Sequence, residues 1–248
     1  MAILSASHIY KTYQSGNEQI HVLKDMNFEI QNGEIVAIMG ESGCGKTTLL
    51  HLLCGIDSAD SGEICISGEQ LSAMTDEEAS SFRKKKLGMI FQDFQLLDSL
   101  CVKDNILVPL ILNNYDMDDQ ETAYERVIES LNIAHLATRN LSEISGGQQQ
   151  KAAIARAFIH QPELIFADEP TGNLDAKATR DVMGKIVEMN HRFGTSVLIV
   201  THDSYIASFC DRVLLLKDGK FVEEIKKKSD YFNDDIASLL YKMGGLVN

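Results

Sequence analysis

Ile35-Val36-Ala37-Ile38-Met39 is a dense apolar run bounded by polar residues, and it reads as a strand covered on both faces. Across His21 to Ile30, apolar and polar positions alternate instead, which predicts an edge or antiparallel strand, and Gly62 to Leu71 reads as a second antiparallel region. A helix is expected from Lys46, and another after Thr75, where Glu78 three residues later completes a capping-box pattern ahead of a helix running towards Lys86. Leu87 to Phe91 returns to strand. From about Asp93 to Asn140 the period is helical, with Val127, Ile128 and Leu131 forming an apolar stripe on an acidic helix. The rest predicts a helix over 146–160, a strand over 163–167, a helix over 176–192, a strand over 196–200 and a strand pair around Lys217-Asp218-Gly219. Such alternation of strands and helices implies an α/β fold with a mainly parallel core sheet, and the connections near Asp93 and Asn140 are the expected lobe boundaries.

Composition narrows the picture. With 248 residues, 44% of them hydrophobic, the chain can bury the core of one large α/β domain or of two lobes sharing one. Its longest apolar stretches fall far short of the roughly 20 residues that cross a bilayer, so a membrane role requires a partner. The opening MAILSASHIYKTY lacks the charged start, apolar middle and small-residue cleavage site of a secretory signal, so the chain is expected to stay in the cytoplasm. Five scattered cysteines without metal-ligand spacing suggest neither a disulfide framework nor a zinc site. A net charge of −13 argues against sequence-independent nucleic-acid binding, and the basic runs Arg83 to Lys86 and Lys226 to Lys228 read as solvated faces.

Candidate chemistry sits at the ends of the predicted strands. Gly40-Glu41-Ser42-Gly43-Cys44-Gly45-Lys46-Thr47 satisfies G-x-x-x-x-G-K-[ST] directly after a buried strand. Glycines allow backbone amides to surround phosphate oxygens, the following helix presents its positive end, Lys46 reaches the β and γ phosphates, and Thr47 serves Mg2+. Leu164 to Ala167 then deliver Asp168 and Glu169 at a strand's carboxyl end, where open α/β sheets bind ligands. Asp168 suits the magnesium shell, and Glu169 can polarise an attacking water as general base. Ser145-Gly146-Gly147-Gln148 opens an alanine-rich helix, with Ser145 as N-cap and two glycines leaving helix-end amides bare for a second anion; an ordinary capped helix is the alternative. Cys44, at a helix N-terminus within the phosphate loop, reads as an inert small side chain, the alternative being a reactive thiol whose pKa that position lowers.

These three motifs in this order resemble the ATP-binding-cassette family, whose signature is LSGGQ where this chain has ISGGQ, with Ile144 in place of leucine. The resemblance runs from Tyr13 to Gly219 and implies a P-loop ATPase domain over 1–225, with an antiparallel β subdomain and a helical subdomain at about 93–160, followed by a C-terminal helical tail over 226–248. It implies that Tyr13 stacks on adenine and that Gly40, Ser42, Gly43, Cys44, Gly45, Lys46, Thr47 and Thr48 hold the phosphates of ATP. Ser145, Gly146, Gly147 and Gln148 meet the ATP of a second copy, so that two chains sandwich two nucleotides. Thr47, Gln92 and Asp168 are the implied Mg2+ set, and Lys46, Gln92, Glu169 and His202 the catalytic one. Asn173-Leu174-Asp175 resembles the loop that communicates across the dimer.

Within the family, GESGCGKTTLLHLLCGID, IFQDFQLLDSL and FADEPTGNLDAK resemble the group serving lipoprotein release, macrolide export, cell division and antimicrobial-peptide transport. A tail helix over Ile236 to Lys242 ending in Met243-Gly244-Gly245 is similar to bacitracin-type resistance transporters, which pair two ATPase copies with one long permease and signal to a sensor kinase. Two other classes stay open: a soluble cassette ATPase without a membrane partner, and a module that binds ATP but barely turns it over. About 100 residues from Lys46 to Ser145 leave no room for a long coiled-coil arm, and the presence of both Glu169 and His202 argues for catalytic competence.

Overall fold

The computed structural model describes residues 1–16, 18–227 and 232–242. Met243-Gly244-Gly245, expected to close the tail helix, and Lys228 lie outside the described residues. The chain divides into two compact units, residues 1–80 with 196–248 and residues 81–195, and the helical subdomain expected at 93–160 falls within the second.

The first unit contains two sheets. β1 (Ala2–Ser15) and β2 (Glu18–Gln31) form an antiparallel pair, extended by β4 (Ser61–Ile66) and β5 (Glu69–Gln70) in the order β2-β1-β4-β5. β2 is thus the edge strand its alternating pattern predicts, with Leu23, Met26 and Ile30 on the inner face. In the other sheet, β3 (Ile35–Met39) runs parallel to both β8 (Ser196–Thr201) and β9 (Arg212–Lys217). β9 turns back antiparallel into β10 (Lys220–Lys226) through Asp218 and Gly219. All five β3 residues and all six of β8 are buried, the reason both read as unbroken apolar runs.

α1 (Lys46–Leu53) follows β3, and α2 (Asp76–Lys86) begins at the expected capping box, where the Thr75 amide donates to Glu78 Oε2 at 2.8 Å and the Glu78 amide donates to Thr75 Oγ1 at 3.3 Å. After β8 comes the short α7 (Ser204–Ala207). The tail forms α8 (Phe232–Lys242), four residues longer at its start than expected, and packs on α7 with Phe232 and Ile236 buried.

In the second unit, β6 (Leu87–Phe91) and β7 (Leu164–Asp168) pair in parallel. Four helices belong to it: α3 (Val102–Leu112), α4 (Met117–Leu131), α5 (Gly146–Phe158) and α6 (Ala176–Phe193). α4 buries Val127, Ile128 and Leu131 as its stripe predicts, starts on the N-cap Asp116 and ends at Asn132 in the left-handed conformation.

A buried ion pair fastens the start of β9 beside the β2–β3 turn. Arg212 lies 8% exposed, its Nε donates to Glu34 Oε1 at 2.7 Å, and its Nη2 donates to Glu34 Oε2 at 3.0 Å and to the Glu29 carbonyl at 2.6 Å. Without Glu34, the buried Arg212 keeps the Glu29 carbonyl and the half-exposed Glu224 carboxylate, 3.4 Å from its Nη1, and loses its two-pronged partner. Glu34→Ala is therefore expected to lower unfolding stability by about 3 kcal/mol, measured by denaturant titration, and a change under about 0.5 kcal/mol would show that the pair contributes nothing.

Candidate active site

In the first unit, strand register sets the site. Met39 pairs with Thr201 in parallel, so Gly40 and His202 leave neighbouring strands at the same level and the same edge. His202 is exposed there, ahead of Asp203, which caps α7 by accepting from the Tyr205 amide at 2.8 Å.

The loop from Gly40 to Gly45 is shaped by crowding. A Cβ on Gly40 would lie 2.3 Å from the Leu216 carbonyl oxygen, and one on Gly45, at φ 109°, would lie 2.9 Å from Leu23 Cδ2. Neither position admits a side chain without moving its neighbours. Gly45 is also the N-cap of α1 and supplies no side-chain cap, so the helix's first amides are left to an outside acceptor. Lys46 folds back over the loop, its Nζ donating to the Gly40 carbonyl at 2.7 Å and the Glu41 carbonyl at 2.9 Å. A crowded glycine loop, uncapped amides and one ammonium fit the phosphate chain of a nucleotide. Tyr13 stands half-exposed on β1, its hydroxyl donating to Asp57 Oδ2 at 2.6 Å and its ring 4.9 Å from Lys11 Nζ, which fixes the ring plane.

The second unit repeats the logic of register. Phe91 pairs with Asp168, so Gln92 and Glu169 leave adjacent parallel strands together. Gln92 and Asn173 hold each other: Gln92 Nε2 donates to Asn173 Oδ1 and Asn173 Nδ2 to the Gln92 carbonyl, each at 3.1 Å. That commits the Gln92 amide nitrogen and leaves Oε1 as the atom it can present to a cation. Within this unit, the side-chain oxygens of Gln92 and Asp168 are of the kind that Mg2+ takes beside phosphate oxygens and water. Among the described residues no cluster of three His, Cys, Asp or Glu side chains could hold a metal by itself. Glu169 adopts φ 43°, a left-handed backbone costly for a side chain of its size, and its carbonyl accepts from the Gly172 amide at 3.0 Å.

The ISGGQ segment starts α5. Ser145 is an exposed N-cap that exchanges bonds with Gln148: Ser145 Oγ accepts from the Gln148 amide at 3.4 Å, and Gln148 Oε1 accepts from the Ser145 amide at 2.9 Å. Ile144 is 8% exposed, so the family's leucine position is an apolar anchor here.

For Cys44 the structure decides against a lowered pKa. Burial raises the Cys44 thiol above its ordinary pKa, outweighing the opposing pull of Lys46 and of the loop amides. The sulfur is tucked inward, 2.5 Å from where a Gly40 Cβ would be, on a cavity of about 260 Å3 shared with Val22, Leu216 and Val222. Position at a helix start is visible in sequence, and desolvation is not.

Two side chains of α5 escaped the sequence reading. Gln150, fully buried, donates through Nε2 to the Phe91 carbonyl at 3.3 Å and to the Pro170 carbonyl. Arg156 Nη2 donates to the Phe94 carbonyl at 2.8 Å and Nη1 to the Gln95 carbonyl, holding two consecutive left-handed residues at φ 63° and 49°. A signal existed for Gln150: it shares a helical face with Ala153, Ile154 and Ala157, all buried.

The family model described as ABC transporter matches residues 23–172. The chain belongs to the ABC transporter family. It is 42% identical to the bacitracin export ATP-binding protein BceA of Halalkalibacterium halodurans, covering 100% of this chain and 99% of that one. It is 40% identical to the macrolide export ATP-binding/permease protein MacB of Chlorobaculum tepidum, covering 91% of this chain but 34% of that longer one. Among solved structures, the ATP-binding cassette MJ0796, in a dimeric post-hydrolysis state bound to ADP and Pi, matches with a TM-score of 0.82 and 34% identity over 91% of this chain and 99% of that one. The chain is thus an ATP-hydrolysing cassette, and its fold is that of the P-loop ABC ATPases.

The Cys44 result changes what this cassette should do with thiol reagents. Alkylation by a maleimide is expected to be slow at neutral pH, to accelerate as pH rises through and above the ordinary thiol range, to abolish ATP binding once complete, and to be blocked by bound nucleotide. Mass spectrometry of the modified peptide alongside nucleotide binding checks this; full binding after complete Cys44 modification would refute it.

Proposed function

We propose that this cassette powers a separate integral-membrane permease from the cytoplasmic face of the membrane, in a complex with two ATPase copies devoted to antimicrobial-peptide resistance. The observation that carries the catalytic part is the paired strand endings: the phosphate loop with His202 on one pair, and Gln92 with Asp168 and Glu169 on the other. The subgroup is supported by the full-length match to BceA, where the MacB match stops at 91% of the chain. Among the described residues no helix is long and apolar enough to cross a membrane, so the reading requires a membrane partner. Signalling to a sensor kinase through that permease belongs to the same reading and rests on the subgroup resemblance.

In the proposed cycle, Tyr13 receives adenine, the amides from Gly40 to Thr48 and the Lys46 ammonium receive the phosphates, and Thr47, Gln92 and Asp168 hold Mg2+. When bound, Mg2+ neutralises charge on the β and γ phosphates. Glu169 accepts a proton from the attacking water, and His202 contacts the γ phosphate. Ser145 to Gln148 of the second copy complete the site, so closure of the pair and positioning for hydrolysis are one event.

The helical unit supplies a surface for the permease. A groove of about 330 Å3 is lined by Leu87, Met89, Phe91, Val108, Pro109 and Leu112, with Arg83, Lys84 and Arg156 also facing it. Leu112 is 59% exposed and neighbouring Ile111 53%, an apolar face suited to an amphipathic permease segment whose acidic side meets those cations. A macrolide-export, lipoprotein-release or cell-division complex is the second reading, favoured by the MacB match.

Two measurements test the proposal. Glu169→Gln is expected to reduce ATP turnover by about 10²- to 10⁴-fold while leaving ATP binding intact, and unchanged turnover would remove Glu169 from catalysis. The tagged chain, purified from gently solubilised host membranes, should bring down a long permease with a large extracellular insertion at one copy per two ATPases, and Leu112→Glu should lose it. A short multi-span partner would favour the second reading, and recovery from the soluble fraction alone would overturn both.

A further inference from the structure

We infer that Gln150 is a positioning residue for hydrolysis, the joint through which the signature helix holds the catalytic acid and the glutamine loop in place. The inference rests on the proposed role of Glu169. Gln150 lies five residues beyond Ser145 on the inner face of α5 and is 0% exposed. Its single NH2 group donates to two carbonyls, Phe91 and Pro170. The Phe91 carbonyl belongs to the peptide leading into Gln92, and the Pro170 carbonyl lies one residue beyond Glu169, so one amide grips backbone close to each proposed catalytic side chain.

The grip has a cost, and that points to its purpose. Gln150 Oε1 is buried with no hydrogen-bond partner, an arrangement an alanine or leucine would avoid. The rest of that face, Ala153, Ile154 and Ala157, is apolar, so packing alone does not call for an amide. What does is the Glu169 backbone at φ 43°, a conformation that persists only when its surroundings over-determine it. Upstream of the turn, β7 pairing with β6 fixes Asp168; at the turn, the Gly172 amide donates to the Glu169 carbonyl. Gln150 adds the hold on the Pro170 carbonyl and so ties that turn to the helix whose first residues meet the second copy's nucleotide in the proposed cycle. A displacement of α5 therefore shifts the Glu169 and Gln92 backbones together.

The test is a double-mutant cycle on the full chain, reading kcat and KM for ATP, affinity for a fluorescent ATP analogue, and melting temperature. Gln150→Met keeps the length and removes both N–H groups. It is expected to lower kcat about tenfold, the effect of one net hydrogen bond lost from the transition-state geometry, with nucleotide affinity within about twofold. Gln150→His, which keeps one N–H, should recover part of the loss. In a Glu169→Gln background, Gln150→Met should lower residual turnover by a clearly smaller factor, because the part of its effect that passes through Glu169 is already lost and only the part through Gln92 remains. An equal proportional loss in both backgrounds, or unchanged kcat, overturns the inference; if Gln150→Met fails to fold, the same cycle with Gln150→His decides between these outcomes. Normal turnover in Glu169→Gln alone would instead sink the catalytic reading and is scored separately.

Discussion

Parallel pairing brings strand carboxyl ends to one edge, and here the register fixes the chemistry to the residue. Met39 opposite Thr201 and Phe91 opposite Asp168 mean that four chain segments leave their strands level with their partners. A one-residue slip in either ladder would exchange a strand's two faces, misfitting the packing on each, and would displace a candidate catalytic side chain with them. The unbroken apolar runs that bury β3 and β8 therefore also align the phosphate loop with His202, and core packing and site geometry are the same constraint seen from two sides.

Beyond the strand ends the backbone becomes costly. Gly40 and Gly45 sit where any Cβ would collide with Leu216 or Leu23, and Glu169 adopts a conformation its side chain disfavours. Such segments do not hold themselves. The phosphate loop is held by the β2 and β9 residues crowding it, and the Glu169 turn by bonds from Gly172 and Gln150. Removing supports of this kind should affect turnover more than folding, because the strained segments are short and the strands beneath them are buried.

Most of the fold could be read from the sequence because its signals are local. Uninterrupted apolar runs marked the parallel strands, alternation marked β2, the Thr75 and Glu78 spacing marked α2, and residue types at strand ends marked the candidate site. The features that could not be read depend on neighbours distant in sequence. Cys44 sits at a helix start, which lowers a thiol pKa, but burial of the sulfur beside Gly40 decides the opposite direction. Gln150 looks like one of three surface glutamines until the carbonyls of Phe91 in β6 and of Pro170 after β7 arrive beneath it, and the tail helix starts earlier than expected with Phe232 buried and the helix packed on α7.

Helix α5 shows why an ordinary-looking alanine-rich segment belongs in such a machine. Ala152, Ala153, Ala155 and Ala157 are no more than 2% exposed, so the helix backbone lies close to its surroundings with little side-chain freedom between them. Close packing of small residues resists bending, and protein interiors transmit displacement because they are dense. At its exposed start Ser145 and Gln148 satisfy each other's amides, so the helix end is formed before any phosphate reaches it. A contact at that end then moves a preformed rod rather than ordering a loose one, and the rod is fastened by Gln150 to backbone beside the proposed catalytic side chains and by Arg156 to the two left-handed residues that follow Gln92 and Asp93. Larger side chains at the alanine positions would push the helix off those carbonyls, whereas glycines would let it flex between its exposed end and its clamps. Alanine satisfies both demands, which makes the composition of α5 a mechanical requirement as much as a helix propensity.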